Sequence, residues 1–179
     1  MTTEQIAEGL RRYKAPPGRM RVLPGIKDTT VIDDTYNSSP AAVVAALDTL
    51  SALHRSNLRM RRIAVLGDML ELGRHSVAEH RKMGEWTAKT ADMLVTVGFR
   101  ARDMAQGALG GGMAESQILQ YEDARKAGDE LKNMLQLGDT ILIIGSESMR
   151  LERTVEELML EPERAAELLV RQDAEWKKR

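Results

Sequence analysis

The sequence predicts an α/β domain built on an open, mostly parallel sheet with helices on both faces. Three observations carry this. Short runs of continuous aliphatic and β-branched residues recur along the chain, a helix-length segment of mixed polarity follows each, and most runs close on Gly, Asp or Ser. Strands buried on both faces read as continuous apolar runs, and parallel neighbours need a crossover between them, usually helical.

Taken in order, residues 2–13 read as a short helix capped by Thr3, with Ile6 and Leu10 on one face. KAPPGR (14–19) then breaks the chain, because two prolines and a glycine do not continue a helix, and it is the natural linker. TTVIDD (29–34) is a strand, and a helix over 40–55 follows. Pro40 takes the tolerated first turn of that helix, and Val43, Ala46, Leu47 and Leu50 share a face. RRIAVLGD (61–68) is the second strand, and 76–90 a helix containing Val77, His80, Met83, Gly84 and Thr87. DMLVTVG (92–98) is the third strand, with a helix over 99–109. SQILQY (116–121) is a short fourth strand followed by a helix over 122–137. DTILIIGS (139–146) is the last strand, with 148–160 helical behind it. The tail, 161–179, reads as one further helix, with Pro162 near its start and a cationic end that suits the helix dipole. The chain thus divides into a helix and linker (1–18), an α/β domain (19–160) and a helical tail (161–179).

Composition narrows the function. With 179 residues, 42% apolar and 30% charged, the chain is long enough to bury a core and has the balance of a globular protein. A formal net charge of −1 gives no sign of a nucleic-acid or membrane-surface binder. The absence of cysteine removes disulfides, thiol catalysis and thiolate metal sites from consideration. The first residues lack an apolar signal core, and no apolar run approaches ~18 residues, so a cytoplasmic location is expected. Six aromatic residues against eleven methionines predict an aliphatic core without an aromatic platform for bases.

In open parallel sheets ligands bind at the carboxyl ends of the strands. Those ends carry Asp33-Asp34, Gly67-Asp68, Gly98 and Gly145-Ser146, so polar residues gather on one rim, although turns and helix caps use the same residue types. Neither standard phosphate cradle is present. The chain has no Gly-Lys-Ser/Thr, and its one glycine cluster, GALGGG (107–112), follows a helix rather than a strand. A phospho-acceptor receiver domain would need an aspartate where the third strand ends in Gly98 and a lysine where the last runs into GSES.

DDTYNSSP (33–40), VLGDMLELG (65–73), His80 thirteen residues beyond Gly67, and GSESMRLE (145–152) occur together and in order. In this combination, and in the PPGR that precedes the first strand, the chain resembles the C-terminal domain of the Mur ligases over about residues 9–160. Its first motif is similar to the Asp-Asp-(Thr/Ser)-Tyr-Asn-x-Asn-Pro pattern of the members that add D-Ala-D-Ala to UDP-N-acetylmuramoyl-tripeptide. The resemblance implies a Rossmann-like domain that closes over ATP and binds the incoming amine. Chemistry in the family runs through an acyl phosphate. The UDP-sugar site, the P-loop and the Mg²⁺ ligands are expected in N-terminal and central domains that this chain lacks. Carried over by motif, Asp34 would accept from the ATP ribose hydroxyls, Arg19 would reach the ribose–phosphate region, and Tyr36 and Asn37 would line the nucleotide edge. Asp68 and Ser146 would stand on the amine side, and Arg150 would pair with the dipeptide carboxylate. Asp33 is expected to hold the turn, Ser39 to cap the next helix and His80 to pack behind the site. One departure is Ile144, where family members often carry lysine before Gly-Ser. Ile144 and the missing P-loop motivate a second class of function, a stand-alone binding or scaffold module.

Overall fold

The computed structural model describes residues 1–53 and 60–178. Helix α1 (Thr3–Arg12) is capped by Thr2 rather than Thr3, in a reciprocal box where the Thr2 hydroxyl accepts the Gln5 amide and the Gln5 side chain accepts the Thr2 amide. The helix buries none of its residues. After the Pro-Gly break comes β1 (Arg21–Gly25), an edge strand that the sequence reading passed over because it is short, contains Pro24 and alternates in burial. It runs antiparallel to β2 (Thr29–Asp34). The chain continues through α2 (Pro40–Ala52), β3 (Arg62–Gly67), α3 (Ser76–Thr90), β4 (Met93–Val97) and α4 (Arg102–Gly110). It ends through β5 (Ile118–Tyr121), α5 (Ala124–Met134), β6 (Thr140–Ile144), α6 (Glu152–Leu158), α7 (Ala165–Leu168) and α8 (Ala174–Lys177). The expectation that the helix after β2 runs to residue 55 extends into residues outside those described.

Among the described residues the strands form one sheet in the order β1-β2-β6-β3-β4-β5, parallel except for β1. Side chains alternate between two buried faces, as a pleated strand requires. Ile32, Leu66, Leu94, Leu142 and Ile144 face α2, α3 and α4. Val31, Val65, Val95, Ile141 and Ile143 face α5, α6 and α7. The face of α2 carrying Val43, Ala46, Leu47 and Leu50 is the buried one. In α3, His80, Met83, Gly84 and Thr87 are buried, whereas Val77 is 49% exposed. Ile144 is fully buried in the core against α2, so its side chain points away from the open rim.

Two expectations need correction. The segment behind the last strand is not helical from 148. A tight turn over Glu147–Met149 and a left-handed Arg150 (φ 57°) intervene, and α6 begins only at Glu152. Nor is the tail one helix. It breaks between α7 and α8, where Arg171 has φ 57°, and folds back so that Ala165, Leu168 and Leu169 join the core. An unbroken helix would carry these apolar side chains away from the sheet.

Candidate functional site

The aspartates at the end of β2 do different work because a strand sends successive side chains to opposite faces. Asp33 is completely buried. Its Oδ2 accepts the Gly18 amide at 2.9 Å, and its Oδ1 accepts the Thr35 hydroxyl at 2.6 Å and the Thr35 amide at 3.2 Å. Burial is the largest influence on its carboxyl and pushes the pKa up, against the Thr35 and Gly18 hydrogen bonds, with the Glu152 charge adding to the rise. The geometry makes Asp33 the fastener between linker and loop. Asp34 is half-buried, and its Oδ1 accepts the Met20 amide at 3.0 Å. Among the described residues nothing else donates to that carboxylate, which leaves Oδ2 open. Its pKa is also raised, chiefly by burial and further by Asp33, while the Met20 amide and Arg19 oppose the rise.

Arg19 stacks over the Tyr36 ring at 4.1 Å, so both stand beside Asp34. Gly18 makes this possible. It has φ 68°, and a Cβ there would lie 2.9 Å from the Tyr36 amide nitrogen, which itself donates to the Gly18 carbonyl at 3.0 Å. Arg19 and Tyr36 line a cleft of about 450 Å³ together with Pro16, Glu147, Arg171 and Trp176.

The second half of the rim is centred on Ser146. Its hydroxyl accepts the Leu70 amide at 2.9 Å and lies 3.2 Å from the Ser38 hydroxyl, and its own amide donates to the Asp68 carbonyl at 3.0 Å. Asn37, Ser38, Leu70, Glu71, Ser146 and Trp176 are among the residues around an adjoining cleft of about 240 Å³. The Asn37 side chain accepts the Ser38 amide, and Ser39 caps α2 by accepting the Ala42 amide. Asp68 lies behind the rim, with Oδ1 accepting the Ala101 amide at 2.7 Å. His80 is fully buried, its Nε2 accepting the Met69 amide and its Nδ1 bonded to the Ser76 carbonyl.

Arg150 requires correction. Expected to meet a carboxylate at the rim, it is instead turned inward, donating to Glu152 at 2.5 Å and to the Trp176 carbonyl at 2.8 Å. Its left-handed backbone turns the chain into α6, and Glu152, itself completely buried, is the carboxylate it satisfies. The sequence reading also missed Ser38, Glu152, Arg171 and Trp176. Glu152 carried a usable signal, since it falls three residues before Val155, next to it on one face of the helix. Arg171 and Trp176 carried none.

A model of the Mur ligase, glutamate ligase domain, matches residues 18–147. The UDP-N-acetylmuramoyl-tripeptide–D-alanyl-D-alanine ligase of Bacillus subtilis is 29% identical over 160 residues, covering 89% of this chain and 34% of the relative. The Escherichia coli ligase of the same name is 31% identical over 161 residues, covering 88% of this chain and 33% of its own. Among solved structures, MurF from Acinetobacter baumannii aligns with a TM-score of 0.71 at 27% identity, over 87% of this chain and 33% of that one. MurF ligase from Thermotoga maritima in complex with ADP aligns with a TM-score of 0.66 at 26% identity, over 82% and 31%. The chain therefore spans about a third of the length of the relatives it matches. With its motifs on one rim of a mostly parallel sheet and the family match across most of its length, the chain belongs to the Mur ligase family.

Proposed function

We propose that this chain is the domain of an ATP-dependent ligase that closes over the nucleotide and receives the incoming amine, in the addition of D-Ala-D-Ala to UDP-N-acetylmuramoyl-tripeptide. The observation that carries this reading is the half-buried Asp34 carboxylate, with one oxygen open, beside the Arg19–Tyr36 stack. It is supported by the ADP bound in the Thermotoga maritima relative. An ionised carboxylate at a strand end is a strong acceptor for vicinal hydroxyls. Arg19 would face the ribose–phosphate region, and Tyr36 and Asn37 would bound the nucleotide edge. ATP would supply the phosphoryl group that activates the acceptor carboxylate.

No acid–base pair is needed from this chain. Its work would be orientation and the exclusion of water as the domain closes, which turns an encounter of several partners into a local one. Ser146, braced by Asp68 and the Leu70 amide, would stand on the side that receives the amine. Arg150 is given no part in binding substrate on this reading, because its Nε is committed to Glu152 and its Nη1 to the tail. Among the described residues no group of three or more His, Cys, Asp or Glu is placed to hold a metal ion. As the family resemblance implies, the Mg²⁺ ligands would lie in the part of the enzyme this chain does not span. No helix among the described residues is long and apolar enough to cross a membrane.

Mixing the chain with the remaining two-thirds of the Bacillus subtilis relative tests the proposal. With ATP, Mg²⁺, UDP-N-acetylmuramoyl-tripeptide and D-Ala-D-Ala, phosphate release is expected from the mixture and not from the chain alone. Absence of release, with both polypeptides shown to be folded, refutes the assignment. In the restored enzyme Asp34→Ala should raise the KM for ATP about tenfold or more, the scale of one hydrogen bond to a charged group.

A further inference from the structure

The family match ends at residue 147, yet the loop that carries Asp34 and Tyr36 is held by residues beyond it. Arg171 donates through Nη2 to the Thr35 carbonyl and through Nη1 to the Tyr36 carbonyl at 3.2 Å. Its Nε donates to Glu152 Oε2 at 3.1 Å. One planar fork thus grips two successive peptide groups of the loop, with a buried carboxylate fixing the fork from behind. The other oxygen of Glu152 holds Arg150, which in turn holds the Trp176 carbonyl, and both guanidinium groups lie against the Trp176 ring at 5.2 and 5.9 Å. A Cβ on Gly18 would lie 2.9 Å from both the Tyr36 amide nitrogen and a Val170 methyl. Linker, loop and tail are packed in direct contact, and Val170, Arg171 and Trp176 share the cleft lined by Arg19 and Tyr36.

Anchoring a tail does not require this arrangement. Leu168 and Leu169 already bury themselves in the core, and a buried ion pair is commonly no more stabilising than apolar residues of the same size. A charged fork supplies what apolar packing lacks, a fixed orientation for the Thr35 and Tyr36 peptide planes. Those planes set the directions of the side chains on either side. We infer that Arg171, held by Glu152, is a positioning residue for the Asp34–Asn37 loop, so that the tail is a working part of the nucleotide side of the domain. This rests on the reading of that loop as nucleotide-facing.

The test compares Arg171→Ala, Arg171→Lys and the exposed control Arg164→Ala in the full chain. Two quantities are read: exchange of the Tyr36 amide, followed by NMR, and the Michaelis constants of the enzyme restored as above. Both Arg171 variants should speed Tyr36 exchange and raise the KM for ATP about tenfold, the scale of one charge-assisted hydrogen bond. The KM for D-Ala-D-Ala and kcat should hold, and Arg164→Ala should change nothing. Lysine keeps the charge but cannot span two carbonyls and a carboxylate, so an Arg171→Lys chain that matches the parent in both readouts overturns the inference. So does an Arg171→Ala chain whose losses fall equally on both substrates. If Arg171→Ala does not fold, Arg171→Met, which keeps much of the side-chain volume and leaves the Arg150–Glu152 pair in place, carries the same expectations. Should Asp34→Ala leave the KM for ATP unchanged, the nucleotide reading fails, and Tyr36 exchange still decides whether Arg171 orders the loop.

Discussion

Replacing His80 tests how the Ser146 half of the rim is built. Its Nε2 accepts the Met69 amide at 3.0 Å, so the ring proton lies on Nδ1, 2.7 Å from the Ser76 carbonyl. The next amide along, that of Leu70, holds the Ser146 hydroxyl, so the histidine supports the loop that supports the serine. His80→Leu keeps much of the volume and removes the acceptor. Met69 and His80 are both fully buried, so water does not replace the lost bond, and an unpaired buried amide costs about 1–3 kcal/mol. The Ser76 carbonyl keeps its helical partner, so no second penalty arises there. For a domain of this size each kcal/mol lowers the Tm by about 2–4 °C. Urea unfolding followed by circular dichroism measures the loss directly, and His80→Gln, which retains an acceptor, should lose less. A His80→Leu chain within about 0.5 kcal/mol of the parent would refute the argument, because changes that small are typical of unconstrained surface sites.

Other sites give independent tests. A Cβ at Gly84 would stand 1.9 Å from the Met104 carbonyl oxygen and 2.8 Å from the Ala108 nitrogen, main-chain atoms that yield only if α3 and α4 move apart. Gly84→Ala should therefore cost about 3 kcal/mol, at the upper end of overpacking penalties, and an unchanged Tm would show that the helices separate freely. Asp33 has a folded-state pKa above its unfolded value of 3.8, so its contribution to stability is fully present below that value and is lost as pH rises through the folded-state pKa. The stability of the parent relative to the non-titrating Asp33→Asn chain should accordingly fall as pH rises from about 4 towards 7, and a relative stability that rises would reverse the assignment of burial as the dominant cause.

Much of the polar rim was legible because strand ends are legible. The apolar run of β2 stops at two carboxylates, and a polar group at the carboxyl end of a parallel strand belongs on the ligand rim wherever the rest of the chain goes. The buried face of α2 followed from helical spacing alone, and Ser39 as its cap from the proline behind it. The antiparallel edge strand was hidden because Pro24 is tolerated only at such an edge, and five residues alternating in burial resemble a loop.

The sequence by itself determined the layered α/β fold and the rim of strand ends that carries Asp34 and Ser146. These follow from periods of two and 3.6 residues and from the polarity of strand ends, which act over one element at a time. Only the tertiary structure decided the fate of Arg150 and the place of the tail. Glu152 lies two residues from Arg150 and nineteen from Arg171, and Arg171 meets carbonyls more than 130 positions earlier in the chain. No local period encodes such a meeting. A guanidinium takes whichever acceptors assembly brings to it, and here the core drew Leu168 and Leu169 inward and carried Arg171 onto the loop.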